Sequence, residues 1–377
     1  MSRRPLSIAV FAATPPPMHG SSYAVRLLLD SALGRVHRLR HINTTYARSL
    51  ANTGDPELRK LGLMVRYLWR LLREDRRERF DYVIVAPAFT LWPCVRDMLC
   101  ILAASACTRG RIVAWSHSND ALSFYERAPQ TVRLLMRVAL RRVAHIVTVG
   151  ESLRYNFVPF VGEERVSCIP NGLPARAPGP PKGGDGLVRV IYLSSMLRTK
   201  GWLDLLRAAE AACATRPGLV VAFYGAAGTD SPAEEILSAF ANGRQRDRVR
   251  WEGPVNGEAK ERVLEGADVL CLPTYYGPEA LPISIIEAMR SGAAVIATAA
   301  GAIPELIVEG EGGLIVPPRD PEALARALGR LADDPGLRAR MGTFNRVRFE
   351  THFAMDRVTQ RWLELFETLE RRIGCER

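Results

Sequence analysis

The chain has 377 residues, 47% of them hydrophobic and 24% charged, with mean hydropathy near zero. That length suffices for two or three domains at roughly 100–200 residues each, and the composition excludes a disordered, collagen-like or disulfide-scaffold protein. The net charge of +11 is uneven: residues 1–180 carry +13 and the remainder −2, which predicts two domains meeting different partners. Only four of the 51 basic residues are lysines, so arginine is this chain's default cation. The seven cysteines form no CxxC pair and no zinc-type His/Cys spacing, which points to buried thiols in a reducing compartment and to no structural metal. The longest apolar run, Met98–Cys107, falls well short of the roughly 18 residues of a membrane span. Met1–Pro5 is basic but leads into a strand-like run without a cleavage site, so the expected location is cytoplasmic.

Residues 6–14 (LSIAVFAAT) read as a buried strand broken by Pro15-Pro16-Pro17, and helical spacing resumes at Ala24, Leu27, Leu28 and Ala32. Strands are predicted at 81–86, 111–115 and 144–149, with helices at 57–79 and 128–142 between them. After the Pro/Gly-rich stretch beginning at Pro170, the alternation restarts. Strands are predicted at 188–193, 218–224, 248–251, 268–272, 293–297 and 313–316, and helices at 201–215, 232–241, 257–265, 282–290, 303–308 and 321–333. The expected architecture is α/β: two Rossmann-like, doubly wound domains, 1–170 and 188–350, joined by a linker at 171–187. A last amphipathic helix within 351–377 is expected to pack back on the first domain. Ligands of such sheets bind beyond the carboxyl ends of the strands, here in a cleft between domains.

Four places carry candidate chemistry. Glu279 and Glu287 lie eight positions apart, after a strand and within a helix begun by Pro282. Such carboxylates accept hydrogen bonds from vicinal hydroxyls, although the plainer reading is two solvated surface charges. Lys200, followed by Gly201 and a helix, places an ammonium and helix-start amides where a diphosphate would be neutralised. Gly20 and Ser21 form a strand-to-helix turn whose amides suit an anion. His117, in WSHSND directly after a strand, is placed for proton or hydrogen-bond work, with His19 as the alternative; a lone histidine is otherwise more often structural. No Asp-x-Asp follows a strand and no Walker motif occurs, which argues against a metal-held diphosphate and against an NTPase.

The stretch Glu279-Ala280-Leu281-Pro282 through Glu287-Ala288-Met289, Gly292 and Val295-Ile296-Ala297-Thr298 resembles the donor-binding signature of family-4 retaining glycosyltransferases of the GT-B fold. Ala300–Ile307 matches the segment that follows it, Lys200-Gly201 the family's K-G pair, and Asn171-Gly172 its I-P-N-G hinge. The resemblance implies that Glu287 accepts the ribose hydroxyls of a nucleotide-diphospho-sugar. Glu279 would meet the transferred sugar, aided by the backbone at Ala280, Leu281 and Ile283. It further implies that Lys200 grips the diphosphate, that Gly20 and Ser21 approach the donor, and that His117 touches its sugar. Hinge closure is then expected to exclude water. Three departures stand out: Ala280 replaces the usual glycine, Ala294 the usual proline, and Ser195 the usual arginine, leaving Arg198 to reach in instead.

The implied reaction is metal-independent, without a cofactor beyond the nucleotide-sugar co-substrate. The sugar, UDP-linked or next GDP-linked, would move to a glycan or lipid-linked acceptor in cell-envelope polysaccharide or glycolipid assembly. The alternatives are a catalytically lapsed nucleotide-sugar-binding subunit or another GT-B enzyme such as an epimerase or phosphorylase. Arg59, Lys60, Arg66, Arg70, Arg73, Arg76, Arg77 and Arg79 flank Leu61, Leu63, Val65, Leu68, Trp69 and Leu72. This basic amphipathic pattern predicts peripheral contact with anionic lipid at the inner membrane face, or else an ordinary helix with an arginine-rich solvent side. Nucleic acid is not expected as a partner, because no binding module accompanies the charge.

Overall fold

A computed structural model describes residues 4–16, 18–46, 58–177, 179 and 185–375. Within the ranges read from the sequence, residues 1–3, Pro17, residues 47–57, residues 178 and 180–184 of the proposed linker, and residues 376–377 lie outside the described residues, as do the side chains of Leu58, Arg59, Lys60, Leu61 and Cys375.

The chain divides into two compact units, Met1–Pro174 with Met355–Arg377, and Ala175–Ala354. In chain order the first holds β1 (Ser7–Ala12), α1 (Gly20–Leu29), α2 (Leu33–Val36), β2 (Arg38–Asn43), α3 (Leu58–Glu78), β3 (Tyr82–Val85) and α4 (Leu91–Cys107). There follow β4 (Arg111–Ser116), α5 (Ala121–Arg127), α6 (Gln130–Arg141), β5 (His145–Thr148), α7 (Val158–Val161) and β6 (Val166–Cys168). The second holds β7 (Val188–Leu193), α8 (Trp202–Ala214), β8 (Leu219–Tyr224), α9 (Ala233–Ala241), β9 (Val249–Gly253), α10 (Gly257–Gly266) and β10 (Val269–Leu272). It continues with α11 (Ile283–Arg290), β11 (Ala294–Thr298), α12 (Ile303–Leu306), β12 (Gly313–Val316), α13 (Pro321–Asp333) and α14 (Pro335–Arg348). The closing helix α15 (Met355–Cys375) belongs to the first unit.

Each unit is built on a six-stranded parallel sheet, in the orders β2-β1-β3-β4-β5-β6 and β12-β11-β10-β7-β8-β9. Parallel strands are covered on both faces, so β1, β3, β5, β10 and β11 are buried along their whole length and read as apolar runs. Strand β2 (RLRHIN) was not expected, because it is an edge strand whose alternate side chains face solvent. The Met98–Cys107 run is the second half of α4, and α14 is a further helix that the sequence reading did not include.

In the first unit, Tyr67 and Leu71 of α3, Met98 and Ile101 of α4, and Met136 and Ala139 of α6 share one core with β1, β3 and β4. Helix α15 joins this unit through Trp362, edge-on to Trp115 at 5.3 Å, and Phe366, 5.1 Å from the Tyr82 ring. Both rings are fully buried and stabilise the unit by about 1.5–3 kcal/mol each. Gly172 permits this seat, since a Cβ there would lie 2.7 Å from the Val358 side chain. In the second unit, Trp202 stacks on Phe240, which packs edge-on against Phe223.

Candidate functional site

In the second unit the predicted residues gather at the carboxyl ends of β7 and β10. After β7 the chain runs through Ser195, whose carbonyl accepts from the buried Tyr192 hydroxyl at 2.8 Å, and then through a single 3-10 turn, Arg198–Lys200. Gly201 ends that turn in the left-handed region, with φ at 78°, and opens α8. A Cβ at this position would stand 2.2 Å from the Pro273 carbonyl oxygen, so only glycine lets the lysine turn pack on the loop after β10.

That packing brings Lys200 to Glu279. The ammonium lies 2.6 Å from Oε2 of the carboxylate, which also accepts from the Thr274 hydroxyl at 3.0 Å. Lys200 further covers the Tyr276 ring at 4.7 Å. The Tyr275 amide donates to the Thr199 carbonyl at 2.8 Å and ties the two loops together. Thr274 and Tyr276 were not among the predicted residues; lying within the motif's own loop, they carry no separate sequence signal.

Arg198 goes elsewhere. Its guanidinium is paired with the Glu235 carboxylate, its Nε donates to the Asp230 carbonyl, and its amide donates to the Asp230 carboxylate. Lys200, not Arg198, therefore pairs with Glu279 of the motif loop, while Arg319 lies over the ring of neighbouring Tyr275 at 4.5 Å.

Ala280 and Leu281 are buried, and the Ala302 amide donates to the Ala280 carbonyl at 2.8 Å. Pro282 is the N-cap of α11 and Ile283 its first residue, one position later than predicted. No side chain caps this helix, so its first turn presents backbone amides. One turn further on, Glu287 is 2% exposed. Burial pushes its carboxyl above the usual carboxylate range, while the Lys260 ammonium of α10, in contact with Oε1, pulls it back down. Beside this pair, Arg290 of α11 meets Glu261 of α10 at 2.6 Å. Lys260 was also missed, although its rarity was a usable signal: it is one of only four lysines.

In the first unit the predicted residues stand at the carboxyl ends of β1 and β4. Gly20 opens α1, capped by His19, whose Nδ1 accepts from the Ser22 amide at 3.2 Å and lies 3.0 Å from the Ser21 hydroxyl. His117 follows β4 and packs on the Trp115 ring at 4.4 Å; its buried Nε2 has no hydrogen-bond partner among the described residues. Burial, reinforced by nearby His19, pushes this imidazole down to about 3, so it is neutral at physiological pH. A cavity of about 360 Å³ opens next to this cluster, lined by His19, Ser21, Thr44, Tyr46, Arg96 and Asp97. Arg96 lies over the Tyr46 ring at 4.1 Å and donates to Asp97 at 2.7 Å. Among the described residues, no group of three or more His, Cys, Asp or Glu side chains is placed to hold a metal ion.

Comparison with known proteins identifies the family of the chain. Residues 183–348 match the model of the glycosyl transferases group 1, and residues 19–176 that of glycosyltransferase family 4. An MMP α-(1→4)-mannosyltransferase of Mycolicibacterium hassiacum is 27% identical over 248 residues, covering 65% of this chain and 58% of that protein. The chain spans 20–64% of the length of the first four curated relatives it matches. Among solved structures, sucrose-phosphate synthase from Thermosynechococcus elongatus superposes with a TM-score of 0.77 at 18% identity, covering 97% of this chain and 99% of that one. Anabaena HepE in complex with UDP-glucose superposes at 0.72 and 18% identity, covering 96% and 100%. The two parallel six-stranded units have the GT-B fold. With the two family models together spanning most of its length, the chain belongs to the family-4, group 1 glycosyltransferases.

Proposed function

We propose that the protein is a retaining, metal-independent glycosyltransferase that moves a sugar from a nucleotide-diphospho-sugar, UDP-linked in the first instance and GDP-linked in the second, to a glycan or lipid-linked acceptor in cell-envelope polysaccharide or glycolipid assembly. The observation that carries this reading is the pairing of Lys200 with Glu279 at the mouth of an uncapped helix, one turn before the buried Glu287. The UDP-glucose complex of a protein of the same fold supports the donor class.

In this reading Glu287 accepts the ribose hydroxyls, Glu279 and the α11 amides hold the transferred sugar, and the first unit holds the acceptor near its cavity. The Lys200 ammonium and the start of α8 stabilise the charge that develops on the leaving diphosphate. The acceptor hydroxyl attacks the anomeric carbon on the face the diphosphate leaves. The carbon–oxygen bond to phosphate breaks, and the acceptor's proton passes to the departing phosphate oxygen. His117, held neutral, serves as a hydrogen-bond partner for a sugar hydroxyl and not as a charged acid. The engagement of Arg198 by Glu235 favours a second reading, a nucleotide-sugar-binding subunit without turnover.

A thermal-shift panel with UDP, GDP, ADP and CMP tests the donor site. One nucleotide at about 100 times its Kd is expected to stabilise the protein by roughly 2.7 kcal/mol, and Glu287→Ala is expected to abolish the shift. No shift with any nucleotide overturns the reading, and binding without sugar transfer in a turnover assay selects the second one.

The acceptor side of the proposal includes contact with anionic membrane. No helix among the described residues is long and apolar enough to cross a bilayer. Helix α4 packs between α3 and α6, and this layer exposes Val65 and Trp69 on α3, Trp92 and Leu99 on α4, and Leu134 and Val138 on α6. Arg66, Arg70, Arg73, Arg76 and Arg77 stand exposed along α3, while its Glu74 is tied to Arg40 and its Asp75 to the backbone amides of Phe80 and Arg109. Each arginine near an anionic surface contributes about 1 kcal/mol. Co-sedimentation with vesicles containing anionic phospholipid, but not with zwitterionic ones, is therefore expected. The combined Trp69→Ala, Arg70→Glu, Arg73→Glu variant should bind at least about 30-fold more weakly; equal binding by wild type and variant removes the membrane from the proposal.

A further inference from the structure

We propose that Lys260 is a positioning residue for the ribose of the bound nucleotide: from α10 it holds one oxygen of the Glu287 carboxylate on α11 and leaves the other open to the ribose hydroxyls. This rests on the donor-site reading of Glu287 given above. Helices α10 and α11 are joined by two crossed ion pairs, Lys260 with Glu287 and Glu261 with Arg290. The Glu261–Arg290 pair is built from arginine, like most ion pairs among the described residues. The Lys260–Glu287 pair is not, although 47 of the 51 basic residues are arginines. The Lys200–Glu279 pair is the parallel case, so each carboxylate of the donor motif meets a lysine.

The chemical difference explains the choice. A guanidinium presents a planar fork that takes both oxygens of a carboxylate, whereas an ammonium is a compact charge that satisfies one. At a purely structural staple the fork is the better partner; at a carboxylate that must still accept hydroxyls it is the worse one. The charged groups facing Glu287 are Lys260 and Glu261 of α10 and Arg290 of its own helix. Burial raises the Glu287 carboxyl, and the Lys260 ammonium opposes that rise.

Calorimetric titration with UDP and GDP, each in its ribo and 2′-deoxy form, tests the assignment. Wild type is expected to prefer the ribo form of the nucleotide it binds by about tenfold or more, the usual effect of a lost hydrogen bond to a charged partner. In Lys260→Met that preference collapses towards unity, and the pH below which affinity is lost moves upward, because Glu287 protonates more readily without its ammonium. Lys260→Arg is expected to keep the melting temperature yet lose the preference. Glu261→Gln, which removes the carboxylate shared by Arg290 and Arg176 and leaves the Lys260–Glu287 pair in place, is expected to lower the melting temperature and keep the preference. Retention of the ribose preference in Lys260→Arg and Lys260→Met overturns the proposal and leaves Lys260 a staple. Absence of binding of either nucleotide to wild type overturns the donor-site reading itself, and this proposal with it.

Discussion

Lys200→Ala is expected to lower kcat by about 100- to 1,000-fold, the range found when one charge-stabilising group is removed from a reacting centre. Its ammonium lies 2.6 Å from Glu279, on a turn whose Gly201 packs directly on the Pro273 carbonyl. The substitution also leaves the buried Glu279 carboxylate with Thr274 as its remaining side-chain hydrogen-bond donor among the described residues, which costs about 1–3 kcal/mol of stability. The two effects separate experimentally. In the Lys200→Ala, Glu279→Gln double variant the unpaired charge is gone, so the melting temperature should recover while turnover stays low. A single Lys200→Ala variant turning over within about twofold of wild type at saturating donor would remove the lysine from the mechanism.

Gly301→Ala has the largest expected effect on the architecture of the site. Gly301 has φ at 54°, and a Cβ there would stand 2.1 Å from the Glu279 carbonyl oxygen and 2.7 Å from that of Ala280. Left-handed backbone alone costs an alanine about 1–2 kcal/mol. The clash adds to this because both neighbours are backbone, and the Ala302–Ala280 hydrogen bond lies in the same contact. A total of about 3 kcal/mol or more is expected, which lowers Tm by roughly 6–12 °C for a unit of this size. Nucleotide affinity should fall too, since the segment that must move carries Glu279. Gly310→Ala is the control: φ is 81° there, but no atom lies within 4 Å of the added methyl, so it suffers the backbone cost only. Equal melting temperatures for the two variants would show that the close approach at Gly301 contributes nothing.

Much of this molecule was legible in its sequence. Parallel strands buried on both faces must be apolar throughout, so the runs at Ser7–Ala12, Val269–Leu272 and Ala294–Thr298 announced themselves, and Gly and Pro marked their ends. The Glu279-to-Glu287 motif was equally plain, because a loop and the helix turn that follows it are local in the chain. Edge strand β2 escaped because an edge needs only half its side chains buried, so Arg38, Arg40 and His41 interrupt the pattern.

Composition, local periodicity and short motifs thus determined the alternating α/β elements, the basic first half and the family, since each depends on residues a few positions apart. Only the tertiary structure decided which cation serves which carboxylate. Lys200 and Glu279 are 79 residues apart and Lys260 and Glu287 are 27 apart, so their meeting depends on how β7, β10 and α10 pack, which no local pattern encodes. The same holds for Arg198, drawn away by Glu235, and for α15, whose Trp362 finds its place against Trp115 of a strand laid down almost 250 residues earlier. Periodicity reports which face of an element is buried; the partner buried against it is chosen by packing in three dimensions.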